Sequence, residues 1–117
     1  MALQTENANG TIVISDDVLA KIAGMSASSC YGVVGMAKKN GKTGIISLLF
    51  GDSITKGVTI TPQDGRICID LHIMVEYGIN ISVICQSIIK NVKYSIESMT
   101  GFKVGRITVH VESARVD

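Results

Sequence analysis

A chain of 117 residues can bury about two-thirds of its unfolded surface as one domain, so neither disulfides nor a metal is needed to hold a core. With 11 Lys and Arg against 10 Asp and Glu the formal charge is +1, which excludes a global field that gathers nucleic acid, anionic lipid or acidic substrates; a charged partner must use a local patch. Cys30, Cys68 and Cys85 are odd in number, far apart and without a CxxC pair, the usage of small reduced thiols rather than of a disulfide scaffold or zinc site.

The first ten residues are polar, carry Glu6 and lack the basic-then-apolar order of an export signal. No purely aliphatic or aromatic run exceeds three residues, as at Leu48 to Phe50, against the roughly 20 that span a bilayer. The expectation is a cytoplasmic chain with a flexible arm over residues 1–9 and a single α+β domain over 10–117. Thr11 to Ile14 reads as a short strand. Ser15 followed by Asp16 and Asp17 starts a helix, a hydroxyl cap with two carboxylates at the positive end of the helix dipole. Val18, Leu19, Ile22, Ala23 and Met25 give that helix an apolar side, and it ends in the small residues Ser26 to Ser29.

Gly32 to Met36 is an apolar stretch between two flexible glycines. Lys38, Lys39, Asn40, Gly41 and Lys42 make a basic turn. Ile45 to Phe50 is then either a helical turn on the core or an exposed flap. From Gly57, Val58 and Ile60 alternate with Thr59 and Thr61, and Asp64-Gly65 is a favoured hairpin turn. Pro62 marks this strand as an edge.

The central signal follows. Ile67, Ile69, Leu71, Ile73, Val75 and Tyr77 alternate with Arg66, Cys68, Asp70, His72, Met74 and Glu76, a strand oily on one face and mostly polar on the other. After Gly78 and Asn80 the period becomes helical, with Ile81, Ile84, Cys85, Ile88, Val92, Ile96 and Met99 on one side. Asn80 or Ser82 caps its start, and Gly101 closes its end in the left-handed conformation. Ile107, Val109 and Val111 alternate with polar neighbours in a last strand. Phe102 and Val104 are out of phase with it, which puts a bulge or strand start near Gly105.

Two helices on one face of a mostly antiparallel four-stranded sheet bury both stripes, and the last strand runs parallel to the central one because a helix intervenes. A ferredoxin-like split βαβ sandwich is the first choice and a related two-layer α+β order its rival. Tyr31 to Met36 adds a strand in either.

Several strings in this order resemble the alkaline shock protein family of small cytoplasmic bacterial proteins: Gly10 to Ser15 with Val18, Ile22 and Ala23, Tyr31 to Met36, Lys56-Gly57-Val58, Glu76 to Ile81, Met99-Thr100-Gly101 and Val109-His110-Val111. The resemblance runs from Gly10 to about Val111. It implies a non-enzymatic protein linked to envelope stress and cell-wall or lipid homeostasis. Some members self-associate and are held at the membrane by a separate anchor protein. No catalytic residues are established for the family, so none carries over. Ser82 stands where a proline is common, and the long charged tail of some stress members is lacking, which points to a housekeeping branch.

Four candidate features remain. His72, Asp70, His110 and Glu112 share the polar sheet face, and imidazoles with carboxylates bind transition metals; if the first strand lies between the two histidines they are roughly 10 Å apart, too far for one ion. Gly32-Val33-Val34-Gly35 with Lys38, Lys39 and Lys42 has the spacing of the loop that clamps RNA in KH domains, although Val33 and Val34 prefer burial. This RNA-binding module over Gly32 to Lys42 is the alternative function, and nucleic acid is otherwise not expected. Ile45 to Phe50, flanked by Lys42 and Lys56, is a candidate membrane or partner patch. Val58 to Thr61 is an unpaired edge for strand addition.

Ser, Cys and His occur without GxSxG, HExxH or GxxxxGK, so no enzyme, cofactor or metal is expected. The expected activity is that of a homo-oligomeric scaffold or regulatory binding module. Its interaction residues are His72, His110, Arg106 and Glu112 on the sheet, and Lys38, Lys39, Lys42, Leu49 and Phe50 beside it.

Overall fold

The computed structural model describes residues 2–7 and 9–116. Its centre is the strand read above, β6 in chain order, Arg66–Glu76. The elements before it are β1 (Ala2–Asn7), β2 (Gly10–Ser15), α1 (Asp16–Ser28), β3 (Val33–Lys39), β4 (Ile46–Leu48), a 3-10 helix (Gly51–Gly57) and β5 (Val58–Gln63). After it come α2 (Ile81–Thr100) and β7 (Val104–Arg115).

One edge of β6 is taken along its length by β7, in parallel, from Ile67↔Val104 to Glu76↔Arg115. The other edge is divided. β5 pairs antiparallel with Arg66 to Leu71, and β3 pairs antiparallel with Ile73 to Val75. β4 extends the sheet beyond β3. Gly57 sits at the junction of β3 and β5, where an added Cβ would lie 3.2 Å from the Ala37 carbonyl oxygen and 3.3 Å from that of His72. Backbone oxygens cannot swing aside as a side-chain tip can, so Gly57→Ala is expected to cost about 1–2 kcal/mol, read as a shift in the urea midpoint without a change in slope.

Both helices pack on one face of this sheet. Ile67, Ile69, Leu71, Ile73 and Val75 of β6 join Leu19, Ala23 and Ala27 of α1 and Ile84, Ile88, Val92 and Ile96 of α2 in one core. Asn80 caps α2 by accepting from the Val83 amide at 3.3 Å, and Gly101 ends it at φ 79°. Ser15 caps α1 by accepting from the Val18 amide. Asp64 and Gly65, with φ of 51° and 77°, form the hairpin turn between β5 and β6. The expected parallel pairing, the edge position of Pro62 and the bulge at Gly105 are all present.

Other expectations need correction. The sheet is mixed and has five strands, and Thr11 to Ile14 is not one of them. That segment belongs to β2, which pairs with β1 in a separate two-stranded hairpin, leaving β3 to enter the sheet after α1. Ala2–Asn7 thus form a strand where an arm was expected, while Met1, Ala8 and Asp117 lie outside the described residues. Ile45 to Phe50 is neither helical turn nor simple flap: its middle is β4, with Ala37 opposite Leu48. Gly32 to Gly35 leads into and opens β3, with Val33 opposite Val75, and so does not have the form of a loop between two elements. The buried side of α1 is Leu19, Ala20, Ala23, Gly24 and Ala27, whereas Val18 and Met25 face solvent. Small residues let α1 approach closely: a Cβ on Gly24 would meet Ile54 at 3.4 Å. Tyr77 lies past the end of β6 and is exposed, as are Ile81 and Met99 at the ends of α2.

Candidate functional site

The outer face of the sheet carries the polar set of β6 and β7. Parallel pairing in register puts like positions side by side on one face. Cys68 is therefore beside Arg106, Asp70 beside Thr108 and His72 beside His110. The two histidines are immediate neighbours, not separated by a third strand, and their rings stack with centroids 4.4 Å apart and planes 9° from parallel.

Each ring also faces a carboxylate on the opposite strand. His72 Nδ1 lies 2.8 Å from Glu112 Oε1, and His110 Nε2 lies 3.1 Å from Asp70 Oδ1. An ionised carboxylate only accepts, so the hydrogen-bond network assigns a proton to His72 Nδ1 and to His110 Nε2. Glu112 reaches its partner because β7 has a second bulge there: Val111 pairs with Ile73 and Ser113 with Met74, and the extra residue is Glu112. This bulge was not legible in the sequence, since Val111 and Ser113 keep the alternation on either side of it. The Glu112 side chain is 18% exposed and that of His72 34%, so this pair is the more sheltered of the two. Among the described residues no group of three or more His, Cys, Asp and Glu side chains converges as metal ligands would.

The remaining candidates lie around this face. Arg106 is exposed on β7, two positions before Thr108. Beside His72 and Glu112 a hollow of about 360 Å³ is lined by Ala37, Lys38, Lys39 and Lys56. Lys42 stands in the β3–β4 turn and does not line this hollow. Leu49 is half-buried, packed on the core, with its amide donating to the Met36 carbonyl at 2.9 Å. Phe50, the next residue, is 74% exposed. Lys56, outside the expected interaction set, belongs to the basic group by position. In the sequence it stands out with Lys42 as a basic flank of Ile45 to Phe50.

The cysteines take no part in this face beyond Cys68, whose thiol donates weakly to Gln63. Cys30 is buried and its sulfur accepts from Asn91 at 3.3 Å. Burial pushes the Cys85 thiol up from its ordinary value, which keeps it protonated near neutral pH and poorly nucleophilic.

Comparison with known proteins places this geometry. A model of the alkaline shock protein 23 family, described as having a cell envelope-related function, matches residues 4–116. The chain belongs to that family. It is 35% identical over 117 residues to the uncharacterized protein YloU of Bacillus subtilis, covering 99% of this chain and 98% of the relative. It is likewise 35% identical to the uncharacterized protein Spy1614 of Streptococcus pyogenes serotype M6, covering 99% and 97%. The uncharacterized YqhY of Bacillus subtilis is 29% identical over 92% of this chain and 79% of the relative. No solved structure matches. The motifs that suggested the family are structural: Gly32 and Gly57 stand at close approaches, Asn80 and Gly101 bound α2, and His110 sits in the stacked pair. Among the described residues of this family member, no helix is long and apolar enough to cross a membrane.

Proposed function

We propose that this chain is a non-enzymatic scaffold or regulatory binding module of the cell envelope, working from the cytoplasmic side through self-association and protein partners, with a membrane-anchor protein as the partner class. The observation that carries the reading is the outer face of β6 and β7. There Asp70, His72, His110 and Glu112 are held rigidly by mutual pairing and yet stay partly open to water. A rigid, mixed-polarity array loses little side-chain freedom on docking, which favours binding to a complementary surface. The β1–β2 hairpin supports self-association. Ile12 and Val13 project from opposite faces of β2, and both are exposed. A two-stranded hairpin is marginally stable alone, so covering these side chains with a second copy stabilises both.

Light scattering at tens of micromolar is expected to give a mass at least twice 12.4 kDa. The double variant Arg106→Glu/His110→Glu, which piles negative charge beside Asp70, is expected to lose partner capture while keeping the wild-type circular dichroism. A strict monomer with capture unchanged in that variant would overturn the scaffold reading.

A further inference from the structure

One corner of the molecule gathers basic and apolar side chains that the core and the outer-face pairs leave unused. β3 ends in Lys38 and Lys39, the turn after it carries Lys42, and the 3-10 helix carries Lys56. All four are exposed, and among the described residues none has a carboxylate partner. Lys38, Lys39 and Lys56 rim a hollow of about 420 Å³, together with Ser47 and Leu49. In a chain of net charge +1 this is a local excess that attracts anions to one place.

Exposed apolar side chains stand at the two ends of β4, the edge strand beside these lysines. Ile45 is 62% exposed in the β3–β4 turn, and its carbonyl accepts from the Asn40 amide at 2.8 Å, which fixes it across the hairpin from the lysines. Phe50 follows β4 on the same excursion and is more exposed still. Lysines alone suit any polyanion. Lysines flanking two solvent-surrounded hydrophobic side chains suit a phase that is anionic at its surface and oily just beneath. RNA would leave Ile45 without a role and would find in Phe50 a single stacking ring.

We propose that this corner docks on an anionic lipid surface, with Lys38, Lys39, Lys42 and Lys56 at the headgroup phosphates and Ile45 and Phe50 entering the acyl boundary. The contact goes beyond the scaffold reading, which rests on the outer sheet face and the hairpin. It lets the protein meet a membrane directly as well as through a partner.

The test is co-sedimentation with phosphatidylcholine vesicles with and without phosphatidylglycerol. Each lysine near such a surface contributes about fivefold in affinity, so replacing all four by Gln is expected to weaken binding at least about a hundredfold. Phe50→Ser is expected to weaken it severalfold with an unchanged melting curve, because the ring is already in water. High salt removes the wild-type binding. Absence of binding to phosphatidylglycerol vesicles in the folded wild type overturns the proposal. So does equal affinity of wild type and Phe50→Ser for the vesicles, or a single-stranded RNA bound more tightly than the vesicles, which would make the corner a polyanion or nucleic-acid site. Light scattering on the same samples reads self-association separately, so a failed lipid contact leaves the scaffold reading to its own test.

Discussion

Ile88→Ala is expected to lower stability by about 4 kcal/mol and the melting temperature by about 15 °C, a large share of what a domain of this size has to spare. Ile88 is fully buried at the middle of the seam Ile84, Ile88, Val92 and Ile96, where α2 meets the inner face of β6. Removing three carbons there loses their transfer energy and leaves a cavity the helix cannot close, because residues one turn away are held in the same seam. The neighbouring Ile89 is 37% exposed, and Ile89→Ala is expected to change stability by less than about 1 kcal/mol. Thermal denaturation of the pair reads the helix's rotational setting directly. Equal losses at the two positions would mean that α2 is buried on a different side.

Gly32→Ala comes next, at about 3 kcal/mol and roughly 10 °C. Gly32 has φ of 87°, a left-handed conformation in which a Cβ crowds the following carbonyl. The added carbon would also lie 2.6 Å from Cδ1 of Ile84, itself buried at the start of the α2 seam. Ile84 can escape only by leaving its rotamer, which adds about 1 kcal/mol to the backbone strain. The Gly32 carbonyl accepts from the Glu76 amide at 3.0 Å, so the backbone cannot relax without freeing the end of β6. Calorimetry of Gly32→Ala against wild type measures the sum. A loss no larger than that of an exposed Gly41→Ala control would contradict the left-handed assignment.

The two positions also show what the sequence makes legible. β6 and α2 could be read because large aliphatic residues recur at the strand and helix periods and because Asn80 and Gly101 mark the helix ends by conformational preference. α1 was found with Leu19, Ile22 and Ala23 correctly turned inward, but its buried side was drawn too far round the helix. Apart from Leu19 its fully buried residues are alanine and glycine, which carry little hydrophobic signal, while the larger Val18 and Met25 face water. β4 is three residues long, too short for any period, and the β1 sequence Ala2–Asn7 has no apolar alternation. At the candidate site, the residues were identifiable as a polar strand face. Their convergence depended on β6 and β7 being neighbours and on an extra residue at Glu112, facts of long-range pairing that no local pattern contains.

The separate β1–β2 hairpin has a hydrodynamic consequence. The molecule measures 53 × 31 × 24 Å with a radius of gyration of 14.7 Å, against about 13 Å for a compact chain of this length. An elongated particle suffers more drag and elutes ahead of spherical standards of equal weight. Retention volume alone would thus mimic a heavier species, and a subunit count drawn from it would be too high.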